Sequence, residues 1–129
     1  RIMDAINIEG TPKTPTVNFN PEGSIELKGR SIPENSIEFY KPIIAWLDEY
    51  NSSAKADTSV IIQLEYFNTS SSKCILDVFK KLEAIHNSGN SNILINWHYE
   101  EDDEDMLEAG EDYQAIINVP FKMVEIEEE

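Results

Sequence analysis

The chain has 129 residues, the size of one ordinary domain with room for a core and little else. Its 25 acidic residues against 10 basic ones give a formal net charge of −15, which sets it against phosphate backbones and anionic membrane surfaces. An apolar share of 40% argues against wholesale disorder, and no apolar run approaches the roughly 20 residues needed to span a bilayer.

Residues 1–13 are polar and read as an N-terminal tail that covers a sheet edge; Arg1, with no initiator Met, points to a processed or truncated start. Thr16–Asn20 and Ser24–Lys28 alternate apolar and polar around a Pro21-Glu-Gly23 turn, which predicts a β-hairpin. Ser31 and Pro33 then mark a helix start. Over Glu34–Tyr50, Ile37, Tyr40, Ile43, Ile44 and Leu47 recur at helical spacing with Phe39 and Trp46 beside them, and Pro42 should kink or restart that helix. Thr58–Phe67 reads as the strongest strand, with Val60, Ile62, Leu64 and Tyr66 on one face; Ile61 and Phe67 do not fit the alternation.

A second helix is expected from Ser70 to His86, with Cys74, Ile75, Val78, Phe79 and Leu82 as its apolar stripe. Asn92–Tyr99 alternates as a strand through Ile93, Ile95, Trp97 and Tyr99. An acidic turn or short helix follows, and Val119–Ile126 is a final strand that Pro120 places at an edge. The order β-β-α-β-α-β-β predicts an α/β two-layer sandwich: a mixed, mostly five-stranded sheet with helices on one face and the other face solvated. Residues 14–126 form a single domain on this reading, and 127–129 an acidic end.

The acidity is local. Residues 100–129 hold 13 acidic residues against Lys122 alone (13 − 1, a net of −12), whereas residues 1–99 hold 12 against 9, a net of −3. A calcium loop starting at Asp105 puts Gly110 at position 6, but Leu107 and Ala109 fall on ligand positions and Ile116 on the position of the closing Glu. Residues 100–112 therefore read as a solvated acidic loop, as a loose divalent-cation binder, or as a decoy for a basic partner. No metal site and no cofactor is expected.

Signatures of catalysis are sparse. No glycine pattern suits a phosphate loop or a nucleophile elbow. Cys74 and His86 lie twelve residues apart on one helix, roughly 18 Å, too far for a dyad, so Cys74 reads as a small core residue. The single cysteine permits no internal disulfide and suits a reducing cytoplasm, where the sequons at Asn51 and Asn68 mean little. His98 with Glu65 or Glu100 on neighbouring strands is the one catalytic constellation to weigh, and it needs a pocket of convergent polar groups.

The strand-to-helix segment Leu64–Lys73 is more informative. One of Asn68, Thr69 or Ser70 suffices to cap the second helix, which leaves a run of four hydroxyls, Thr69 to Ser72, unexplained. A phosphate on Thr69 or Ser70 would meet free N–H groups and the positive helix end, with Lys73 one turn along. That is a two-charge switch with little demand for refolding.

Several groups of residues resemble the SiaC family of bacterial regulatory phosphoproteins: Thr14, Pro15, Val17, Phe19, Pro21 and Gly23; Gly29-Arg30-Ser31 with Pro33-Glu34-Asn35; and Phe39-Tyr40, Pro42, Trp46-Leu47 and Tyr50. So do Tyr66-Phe67-Asn68-Thr69-Ser70-Ser71, Trp97 with Tyr99, and Gly110-Glu111-Asp112. The resemblance implies a non-enzymatic switch protein, phosphorylated on the threonine that is Thr69 here, with Ser70, Ser71 and Ser72 as fallback acceptors. It further implies a partner kinase, a metal-dependent serine/threonine phosphatase, and an unphosphorylated form that binds and activates a diguanylate cyclase. On that reading Asn68, Ser70, Ser71, Lys73 and Tyr66 surround the phosphate or meet the partner.

Overall fold

The computed structural model describes residues 3–127. Arg1, Ile2, Glu128 and Glu129 lie outside them, and with them the expected processed start and most of the acidic end. The elements in chain order are β1 (Ile6–Ile8), β2 (Thr16–Asn20), β3 (Ser24–Ser31), α1 (Ser36–Tyr50), a 3-10 turn (Asn51–Ser53), β4 (Asp57–Phe67), α2 (Thr69–Asn87), β5 (Asn92–Glu100), α3 (Glu104–Ile116) and β6 (Phe121–Ile126). The strands lie side by side in sequence order, from β1 at one edge to β6 at the other.

The hairpin forms where expected. Val17 faces Leu27 and Phe19 faces Ile25, all four buried, while the polar residues between them point to the open side. Gly23 closes the turn at φ +103°, and a Cβ there would come within 2.7 Å of the Asp57 carbonyl oxygen, so both conformation and space call for glycine. From β3 to β6 every neighbouring pair is parallel, and each crossover is a helix. Phe19, Ile25, Val60 and Ile95 follow one another across the sheet, and the helices cover that face through Trp46 on Phe19 and Phe79 on Trp97. The fold is thus an α/β two-layer sandwich with a mixed sheet.

The sheet has six strands, not five. Ile6 and Ile8 of the expected tail pair antiparallel with Phe19 and Val17, hiding the outer edge of β2. Ser31, read as a helix start, is the last residue of β3, and the true N-cap of α1 is Asn35, whose Oδ1 accepts from the Glu38 amide at 3.1 Å.

Helix α1 also runs unbroken through Pro42. Pro42 and Glu38 both lie on its exposed side, so the carbonyl that loses its donor faces water while Tyr40, Ile43, Leu47 and Tyr50 stay on the core. Ile37 is turned off that buried stripe and is 76% exposed.

Tyr66 does not share the inward face of Val60, Ile62 and Leu64. The β3–β4 register shifts after Gly29 and Leu64, so that Arg30 faces Tyr66 and Glu65 is left over. This bulge reverses the alternation: Tyr66 is 53% exposed, and Phe67 turns in against Trp97.

Of the two forms expected, the acidic segment takes the helix, after a brief turn at residues 101–103. After an Asp103 cap that accepts from the Met106 amide, it forms the thirteen-residue helix α3. Met106 and Tyr113 are buried, and Gly110 meets the Trp97 ring so closely that a Cβ would lie 2.5 Å from it. Trp97 explains both contacts. It is fully buried, and its indole N–H donates to the Met106 carbonyl at 2.9 Å.

Candidate functional site at the paired helix N-termini

Parallel crossovers on one face bring the starts of α1 and α2 together at the end of β3. The α2 cap is Asn68, whose Oδ1 accepts from the Ser71 amide at 2.9 Å and from the Ser70 hydroxyl at 3.2 Å. Asn68 is itself anchored, its own amide donating to the Ser31 carbonyl at 3.0 Å.

The hydroxyl run resolves into separate duties once each proton is assigned. Ser71 is fully buried and donates to the Ser31 carbonyl at 3.0 Å; the Ser31 hydroxyl donates to Ser71 Oγ at 2.9 Å. The 2.6 Å bond between Ser31 and Tyr40 must then run from the phenol to the serine, because the serine proton is already committed. Burial pushes the Tyr40 phenol up to about 12, with the Ser31 bond opposing the shift and Cys74 adding to it. Ser70 spends its proton on Asn68, so its 2.8 Å bond with Ser36 comes from Ser36, the first residue of α1. Ser72 donates to the Thr69 carbonyl at 2.7 Å.

Thr69 is what remains. It is the first residue of α2 and is exposed, and of the four hydroxyls it alone makes no hydrogen bond within the described residues. The amides of Ser71 and Ser72 are satisfied by Asn68, whereas those of Thr69 and Ser70 precede the helical ladder and have no backbone acceptor among the described residues. Lys73 is exposed one turn further on. The start of α2 with its two open amides, the start of α1 tied to it through Ser36 and Ser70, and a lysine one turn along thus accompany one unbonded hydroxyl, an arrangement that favours an added anion.

The other candidates lie elsewhere. His98, Glu65 and Glu100 do come together on the open face of the sheet, with Lys28 and Gln63, around a broad concavity of about 700 Å³. Partial burial and the nearby Lys28 hold the His98 imidazole below its usual value, against the pull of Glu26. Cys74 is buried near the start of α2, where burial and Asp77 raise its thiol, and His86 sits at the other end accepting from the Ile93 amide. Among the described residues no group of three or more His, Cys, Asp or Glu side chains is placed to hold a metal. In α3 the carboxylates of residues 104–112 radiate around a helix, so Gly110 is helical and buried and not the pivot of a cation loop. No helix among the described residues is long and apolar enough to cross a membrane.

Sequence reasoning missed Ser31, Ser36 and Tyr40. They lie some 30 to 40 residues from Ser70 and Ser71, as the spacing of the Ser36–Ser70 and Ser31–Ser71 bonds shows. Only the crossover topology joins them.

Comparison with known proteins gives one consistent outcome. Residues 8–126 match the model of a family described as SiaC family regulatory phosphoprotein. An uncharacterised protein of Pseudomonas aeruginosa (strain UCBPP-PA14) is 30% identical over 120 residues, 92% of this chain and 94% of that protein. Among solved structures, SiaC of Pseudomonas aeruginosa superposes with a TM-score of 0.87 at 28% identity, covering 96% of this chain and 100% of that one. A chain in the crystal structure of the diguanylate cyclase SiaD in complex with its activator SiaC, from the same organism, gives a TM-score of 0.87 at 29% identity, with 94% and 99% covered.

Proposed function

The chain belongs to the SiaC family of regulatory phosphoproteins, and on that premise we propose that it is a non-catalytic switch whose phosphorylated residue is Thr69. Its unphosphorylated form binds and activates a diguanylate cyclase, as the SiaC that is described as the activator of SiaD does for its own cyclase. A protein kinase places the phosphate on Thr69 and a metal-dependent serine/threonine phosphatase removes it. The exchange takes place in the cytoplasm, where Cys74 stays reduced.

The observation that supports Thr69 is the division of labour in the hydroxyl run. Ser71 and Ser72 each hold backbone with their hydroxyls, and Ser70 bridges Asn68 and Ser36, so modifying any of them breaks a structural bond. Modifying Thr69 breaks none. A phosphate there adds nearly two negative charges where open amides and Lys73 receive them, so the fold persists while the surface changes sign. A partner seated over this corner, against the exposed Tyr66 and Ile37 beside it, would then bury a dianion. Losing one packed hot spot costs roughly 2 kcal/mol, about 30-fold in affinity.

The experiment is kinase treatment followed by fragment mass spectrometry, then titration of both forms against the cyclase of the same organism. The phosphate should map to Thr69, and the phosphorylated form should bind at least about tenfold more weakly. A phosphate found on Ser71, or equal affinity of the two forms, overturns the reading.

A further inference from the structure

We propose that the groove between the first turns of α2 and the face of α3 is the anchor site for the cyclase, receiving an apolar side chain flanked by Lys or Arg. The inference rests on the switch reading above and names the chemistry of its partner.

The groove holds about 260 Å³ and is lined by Phe67, Ser72, Ala109, Asp112, Tyr113 and Ile116. Its walls are mostly apolar, and at its rim Ile116 is 64% exposed, carrying the apolar lining out to solvent. The Tyr113 hydroxyl donates to the Ser72 carbonyl at 2.8 Å, which fixes α3 against α2 and gives the groove a rigid floor. Ser72 in turn donates to the Thr69 carbonyl, so the groove begins three residues along α2 from the proposed phosphate. A partner covering Thr69 reaches it without a break in the interface.

Charge selects the occupant. Residues 100–116 contain nine acidic residues and no basic one, and Glu108, Glu111 and Asp112 are exposed along the helix that walls the groove. An anchor with acidic neighbours would be repelled here, whereas one flanked by Lys or Arg gains both steering and contact. The Thr69 end differs: Lys73 and the helix N-termini offset the acidity, so that end meets a neutral or apolar part of the partner. A phosphate on Thr69 therefore weakens binding by burying charge under a packed contact, while the α3 carboxylates strengthen binding at the other end.

The test titrates the recombinant cyclase of the same organism against unphosphorylated wild type, Ile116→Ser, Asp112→Lys and, as a control on the open sheet face, His98→Ala. Circular dichroism verifies that each variant is folded; both groove positions are exposed or at the rim. Ile116→Ser should weaken binding about tenfold. Asp112→Lys should also weaken it, by a factor that shrinks as salt is raised, and His98→Ala should bind as wild type does. If both groove variants bind like wild type while Thr69 phosphorylation still weakens binding, the groove assignment is wrong and the switch stands. If unphosphorylated wild type does not bind the cyclase, both fall. If the groove variants change only self-association in sedimentation, the occupant is a second copy of this chain and the proposal is overturned.

Discussion

Replacing Thr69 and Ser71 by alanine, one at a time, separates the hydroxyl proposed for modification from the hydroxyl that holds the fold. Ser71→Ala removes a fully buried group that donates to the Ser31 carbonyl and accepts from the Ser31 hydroxyl. The carbonyl keeps a second donor, the Asn68 amide, but the Ser31 proton loses its acceptor inside the core. A buried donor left unmade costs about 1–3 kcal/mol. Thr69→Ala removes an exposed hydroxyl that holds nothing, and alanine is the better helix former, so its effect should stay within about 0.5 kcal/mol and can be stabilising. The two variants differ by one residue type at positions two apart on the same helix, yet should differ by about 1–3 kcal/mol in urea unfolding. The unfolded states are nearly the same, so the difference reports the folded network. If Thr69→Ala costs as much as Ser71→Ala, Thr69 has a structural role and the proton assignment above is wrong.

Asn68→Ala should cost about 1–2 kcal/mol in the same assay, because the α2 cap to the Ser71 amide is lost, and an unchanged midpoint would mean that Ser70 takes over the cap. Phosphorylated Thr69 should stabilise the fold by about 0.3–1 kcal/mol at low salt through the helix N-terminus, a gain that thermal unfolding should show fading in concentrated salt. Gly110→Ala should cost about 1–3 kcal/mol and alter Trp97 fluorescence, because the new Cβ meets the indole at 2.5 Å and backbone must shift; unchanged emission would refute the contact. Tyr40, with its folded pKa raised from 10.0 to about 12, favours the folded state in its neutral form. That contribution is complete below pH 10 and is lost as pH rises toward 12, so Tyr40→Phe should flatten this alkaline loss of stability, and an unchanged alkaline limb would count against the buried bond.

The local elements were legible because their causes are local. Alternation in Thr16–Asn20 and Ser24–Lys28, and the stripe from Cys74 to Leu82, need only the periods of strand and helix, and the parallel sheet follows from helices between strands. What misled was also physical. Pro42 reads as a break because its missing donor is visible in sequence, whereas the solvent that relieves its partner carbonyl is not. Tyr66 reads as inward because alternation was extended through a bulge that only the pairing with β3 imposes. The acidic run left α3 undecided between a turn and a short helix because charge dominates its composition, and its few inward residues, Met106, Gly110 and Tyr113, make sense only opposite Trp97.

For the site, the sequence by itself determined that four hydroxyls begin the second helix, that such a run exceeds what capping needs, and which family motif contains them. Chemistry alone narrowed the acceptor to Thr69 or Ser70, and the family resemblance pointed to Thr69, but neither says what each hydroxyl touches. The choice depends on what each oxygen touches, and the partners, Ser31, Ser36 and Tyr40, arrive from distant parts of the chain through the crossover geometry. Only tertiary structure decided that Ser71 is core, that Ser70 is tied to Ser36, and that Thr69 is left facing solvent, because partners 34 and 40 residues apart are fixed by packing and not by periodicity.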